Sequence, residues 1–170
     1  MKRTLLCATL TVVTLLTAHY SFGQTPSLAS ATILKVGGEV SNPLKLSASD
    51  LVKMSRVSAR AKDHYGRESV FEGVPVGEIL KMAGVRFGEQ LRGKDLALYL
   101  LVEAADGYRA VFALPEVDAA FNDTLVLLAD RRDGKPLSDA DGALQIIVPN
   151  EKRHARWVRQ VVSFTIRRGE

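Results

Sequence analysis

Short alternations of apolar and polar residues dominate the chain, and few segments hold the period of a long helix. Ile33, Val36 and Val40 flank the pair Gly37 and Gly38, which predicts two short strands around a turn. Asn42 and Pro43 mark a second turn, after which Leu44 and Leu46 resume extended chain. Ser47 followed by Asp50 has capping-box spacing, and Leu51, Val52 and Met54 supply the apolar stripe of a short helix. Residues 57–61 alternate as a strand, residues 63–67 contain Gly66 and form a turn, and residues 69–71 return as its partner. Pro75 suits the first turn of a second helix, with Val76, Ile79, Leu80 and Ala83 facing inward and Gly84 ending it.

The second half reads mostly as strand. Residues 96–102 form an apolar run, and Asp106 and Gly107 turn it into a partner over residues 108–112. Residues 114–120, opened by Pro115, predict one or two helical turns. Further strands are expected over residues 124–129, 143–148 and 157–166, separated by turns at Asp133–Gly134, Pro136 and Asp141–Gly142. The sum is an α+β fold, with a mostly antiparallel or mixed β core and two or three short helices. No repeat or second domain boundary is visible. Alternating βαβ units and a nucleotide-binding glycine fingerprint are absent.

The N-terminus departs from this pattern. Lys2 and Arg3 precede an apolar run over residues 5–18, followed by Ser21, Phe22 and Gly23. This order predicts a secretory signal peptide over residues 1–23. The run is shorter than the ~20 residues that span a bilayer. Residues 24–31 are small and polar and read as a tether to a single domain over residues 32–170. The expected location is periplasmic or secreted, with no membrane attachment once the signal is removed. Cleavage there would also take away Cys7, the one cysteine. No disulfide then supports the fold, and its core must. The net charge of +4, from 23 basic and 19 acidic residues, is too weak a footprint for nucleic acid.

Candidate chemistry is sparse. His64 and His154 lie far apart in sequence, and no zinc or calcium ligand spacing is present. No Gly-x-Ser-x-Gly elbow exists either. No residue is therefore nominated as catalytic or as a metal ligand. The most charged stretch runs from Glu151 to Arg159. Arg153, Arg156 and Arg159 there suit an anion such as phosphate if they converge. The alternative is a solvated loop with Trp157 as a core anchor.

The order of several motifs resembles a known family. Phe71-Glu72-Gly73-Val74-Pro75, with the helix to Leu80 and then Ala83-Gly84-Val85, is similar to the aromatic-x-Gly-Val-Pro-Leu element of the oxidoreductase molybdopterin-binding domain, the sulfite-oxidase-type fold. Ala105-Asp106-Gly107-Tyr108 resembles its Asp-Gly-Tyr hairpin. Leu127-Leu128-Ala129, Asp133-Gly134-Lys135-Pro136-Leu137 and Gly142 through Ile147-Val148-Pro149 resemble its Leu-Ala, Asp-Gly-x-Pro-Leu and Gly-x-x-Arg-Leu-Val-x-Pro run. Arg156-Trp157-Val158 resembles its closing Lys/Arg-Trp-Val segment.

The resemblance implies a molybdopterin cofactor, oxygen-atom transfer, a metal-binding cysteine thiolate and basic side chains for the pterin phosphate. It offers His64, Tyr65, Arg67, Tyr108, Arg153, His154 and Arg156 as cofactor-binding residues. Residues 57–67, where the family carries its cysteine, hold none, and neither does any later residue. Neither His64 nor a serine reproduces a soft thiolate ligand. The expectation is an exported molybdopterin-binding oxidoreductase-like domain with degenerate catalysis. The alternative is a non-catalytic secreted module that binds a small anion, peptide or partner protein on the same face.

Overall fold

The computed structural model describes residues 31–63 and 65–169. The expected signal segment, most of the tether and His64 lie outside the described residues. Among the described residues, ten strands form two five-stranded sheets. The first sheet runs β2 (Leu44–Ser47), β1 (Thr32–Gly38), β10 (Val161–Arg168), β5 (Leu98–Ala104) and β6 (Arg109–Ala113). Its one parallel pairing joins β1 to β10, with Lys35 opposite Ser163. The second sheet runs β3 (Val57–Lys62), β4 (Glu68–Pro75) and β7 (Leu127–Arg132). The far edge of β7 is shared by β8 (Lys135–Pro136) and β9 (Gln145–Ile147).

The described residues also form two short α-helices, α1 (Ala48–Lys53) and α2 (Val76–Met82), and several 3₁₀ turns. The capping box at α1 forms as its spacing predicts. Ser47 Oγ accepts from the Asp50 amide, and Asp50 Oδ2 accepts from the Ser47 amide. Helix α2 begins directly after Pro75 and ends at Ala83 and Gly84. Both sheets contribute to one apolar core, with Phe112 and Phe164 from the first and Phe71 and Leu128 from the second.

Four expectations about boundaries are corrected. No strand forms at Val40: β1 continues through Gly37 to Gly38, whose φ of +86° turns the chain. Leu96 lies in a 3₁₀ turn and is exposed; β5 starts at Leu98, which is half-buried, and the buried run begins at Leu100. The strand expected from residue 124 starts only at Leu127. The last strand starts at Val161 rather than Trp157. Trp157 and Val158 are both buried but close the 3₁₀ turn over His154–Arg156, the Trp157 amide donating to the His154 carbonyl and the Val158 amide to that of Arg156. Gln160, at φ +51°, then redirects the chain into β10.

Candidate functional site

Strand ends and turns around β7 and β9 line an open cavity of about 460 Å³. That is within the usual range for small-ligand sites, ~300–1,000 Å³. Four parts of the fold build its wall. Asp63 comes from the end of β3, and Asp106 and Tyr108 from the β5–β6 hairpin. Arg132 and Gln145 come from β7 and β9. The segment before β10 supplies His154, Trp157 and Arg159.

Two cations at this cavity share one carboxylate. Asp141 is buried and lies 3.8 Å from Arg132 and 3.4 Å from Arg159. Ser138 Oγ donates to Asp141 at 2.7 Å. The Asp141 carbonyl accepts from the Gln160 amide at 2.8 Å, which ties this turn to the segment entering β10. The Arg132 guanidinium also lies over the Phe71 ring, 4.7 Å from its centroid. Phe71 meets Trp157 edge-on at 5.8 Å, and His154 packs against Trp157 at 4.2 Å. The Trp157 indole donates to the Val148 carbonyl, so this wall is fixed from behind.

Hydrogen bonding at the wall is incomplete. Gln145 is only 2% exposed, yet its Oε1 has no partner. Arg132 Nε is buried and likewise has none. Leaving a buried donor or acceptor unpaired costs about 1–3 kcal/mol. Such atoms therefore call for a guest or a water.

The carboxylates at the rim have structural partners. Asp63 Oδ1 accepts from the Tyr65 and Arg67 amides, and its Oδ2 from Arg67 Nε. Burial acts to raise the Asp63 carboxyl, but those amides and the Arg67 guanidinium outweigh it and hold it below its ordinary value. Asp133 is also held low, chiefly by the Val70 amide, and Asp50 by Ser47. A carboxyl lowered in the fold contributes stability that is complete above its unfolded value of ~3.9 and is lost as pH falls below it. Urea midpoints should therefore stay level from neutral pH to about pH 5 and then fall steeply. Asp63→Asn should flatten part of that acid limb; an unchanged limb would show that the Asp63 contacts do not persist in solution.

Of the residues proposed from sequence, Tyr108 and His154 line the cavity. The Tyr108 hydroxyl donates to the Ala155 carbonyl at 2.7 Å and pins the β5–β6 hairpin to the segment before β10. Tyr65 and Arg67 occupy the β3–β4 turn outside the lining, with the Arg67 guanidinium 5.6 Å from the Tyr65 ring. Arg153 is exposed and also outside it. Arg156 turns elsewhere: it donates to Glu116 and Glu151 and lies 4.4 Å from the Phe112 centroid. Burial would lower the Arg156 pKa, but the two carboxylates raise it. Arg153, Arg156 and Arg159 are thus not brought together at one anion site, and Arg159 alone of the three lines the cavity. Sequence reasoning missed Arg132, Asp141 and Gln145. Gln145 had a signal, as a lone polar residue inside the apolar stretch 143–148.

The family model for the oxidoreductase molybdopterin binding domain matches residues 22–169, and the chain belongs to that family. Among solved structures, it is similar to the sulfane dehydrogenase SoxCD from Paracoccus pantotrophus, with a TM-score of 0.64 and 21% identity. That match covers 84% of this chain and 39% of the other, so this chain spans about two fifths of that one. A search of curated proteins gave no match.

The donor set can be compared with the cofactor this family implies. Arg132 and Arg159 suit an anionic organic group. A thiolate-held molybdenum does not fit, because residues 31–169 contain no cysteine. Among the described residues, no cluster of three or more His, Cys, Asp or Glu side chains is arranged to hold a metal ion. No helix among them is long and apolar enough to cross a membrane.

Proposed function

We propose that this protein is an exported binding domain that retains the family's cavity and uses it for a small organic anion, without a cysteine-held molybdenum centre. The observation that carries this reading is the Arg132–Asp141–Arg159 arrangement at a cavity with no thiolate. Asp141 holds the two guanidinium groups in place, and their remaining N–H groups are available to an oxyanion. The charged start, apolar run and small-residue end of residues 1–23 support export to the periplasm or beyond. Family membership favours a second reading, in which molybdopterin itself is the anion.

One experiment separates the two. The full chain is exported by its own signal from a host that makes the molybdenum cofactor, then analysed for molybdenum and for released pterin. The purified protein is also heated in the presence of benzoate. The expected result is no stoichiometric metal or pterin and a rise in melting temperature with benzoate. At a hundredfold excess over Kd that rise corresponds to ~2.7 kcal/mol. Asp141→Asn, which frees both arginines from their anchor, should weaken the benzoate response. Stoichiometric molybdenum, or indifference to benzoate, would overturn the proposal.

A further inference from the structure

The candidate cavity lies where the chain enters β10. A second charged recess, of about 460 Å³, lies where that strand ends. Its wall is the loop joining α2 to β5, which places Arg86, Arg92, Lys94 and Asp95 around it. We propose that this recess binds a phosphate-type dianion, as inorganic phosphate or as a phosphate monoester, independently of the cavity described above.

Asp95 sets the frame. It is buried, and both of its oxygens are engaged: Oδ2 accepts from Arg86 Nη2 at 3.0 Å and Oδ1 from Arg168 Nη2 at 3.2 Å. Arg168 also donates to the Lys94 carbonyl at 2.5 Å and to Glu39 at 3.0 Å. The Gly169 amide donates to the Ala97 carbonyl at 2.8 Å, and Asp118 Oδ2 accepts from the Gly88 amide at 2.6 Å. These bonds tie the loop to the end of β10 and fix its backbone before a ligand arrives. A fixed site loses less ordering entropy on binding.

Charge gives the class of ligand. Three cations and one carboxylate line the recess, a surplus of two positive charges. Asp95 is shared between Arg86 and Arg168, so it does not also offset Arg92 and Lys94. Both of those side chains are exposed, and among the described residues neither has an ion pair or a hydrogen bond. Glu39 is held by Arg168 and lies outside the recess. Arg86 commits one nitrogen to Asp95 and keeps its others for a guest. The matching guest accepts several hydrogen bonds and carries two negative charges, as a phosphate does. A monoanion such as nitrate leaves half of the surplus unmatched.

The test is an NMR titration of the isotope-labelled exported protein with inorganic phosphate at about pH 8, where phosphate is a dianion. Nitrate at equal ionic strength is the control. The amides of Arg92, Gly93, Lys94 and Asp95 should shift and saturate, with phosphate binding at least about tenfold more tightly than nitrate. The double substitution Arg92→Gln with Lys94→Gln should weaken phosphate at least about tenfold. Because both side chains are exposed, it should keep the melting temperature within about 2 °C and the benzoate response intact. Should that variant fail to fold, the position of the shifts on the unaltered protein still decides. Cosedimentation with phosphatidylcholine vesicles containing phosphatidate separates the sources. Vesicle binding that the double substitution abolishes supports the site with a lipid headgroup as its occupant. Phosphate binding without vesicle binding supports it with a soluble phosphate. No saturable shift with phosphate, equal affinity for nitrate, or shifts confined to the surroundings of Arg132 and Arg159 would overturn the proposal.

Discussion

Replacing Gly73 by alanine is expected to leave little folded protein. Gly73 lies in β4 between Val57 on β3 and Ala129 on β7, beside an irregularity in the β4–β7 ladder. An added Cβ would collide with the Leu128 carbonyl oxygen and lie 2.7 Å from the Ala129 Cα. Both obstacles are backbone of a buried strand, so no side-chain rotation relieves them. The methyl group can enter only if β4 and β7 move apart. Ordinary overpacking costs about 1–3 kcal/mol, and a clash with fixed backbone should exceed that. Domains of this size are stable by roughly 5–15 kcal/mol, so the loss is a large fraction of the total. Gly37→Ala is the matched control, because a Cβ there meets nothing within 4 Å. It should shift stability by no more than about 0.5 kcal/mol. Urea titration of soluble protein checks both variants. A Gly73→Ala midpoint equal to that of Gly37→Ala would refute the close approach of the two strands.

Phe71→Ala should lower stability by about 3–5 kcal/mol, the usual cost of emptying a fully buried aromatic position. For a chain of this length that corresponds to roughly 10 °C in melting temperature. The same change should weaken ligand binding, because Phe71 supports two cavity residues. Its face lies under the Arg132 guanidinium, and Trp157 meets it edge-on. Phe71→Leu distinguishes these roles. Leucine restores most of the buried volume but offers no π face to Arg132. Its melting temperature should recover largely while its benzoate response stays reduced. The emission of Trp157, the only tryptophan in the chain, reports the local repacking. Full benzoate binding by Phe71→Leu would show that Arg132 needs only bulk beneath it.

Local features were the most legible part of the sequence. The Ser47 and Asp50 pair, the Pro75 helix start and the turns at Asp106–Gly107 and Asp133–Gly134 are set by neighbours a few residues apart. The motif order from Phe71 to Val158 carried the family, and through it the fold class. The cavity was harder to read. Arg132, Asp141 and Arg159 meet because β7, the turn before β9 and the segment before β10 converge, and no spacing encodes that convergence. Arg156 misled because charge alone does not tell a ligand cation from a structural one. Glu116, forty positions away in sequence, claims its guanidinium. Trp157 and Val158 imitated strand residues because apolar character records burial, whatever the local geometry.

The parallel pairing of β1 with β10 shapes how the chain reaches this structure. β10 is the middle strand of its sheet, between β1 and β5, yet it is the last strand in the sequence. Lys35 must find Ser163 across almost the whole domain before the sheet is whole. Such a high contact order makes folding slow. Until β10 docks, β1 and β5 each present an unpaired edge where the middle strand belongs. A chain released without residues 161–168 would lack the centre of a sheet rather than its margin, and the two exposed edges would be open to pairing with other chains.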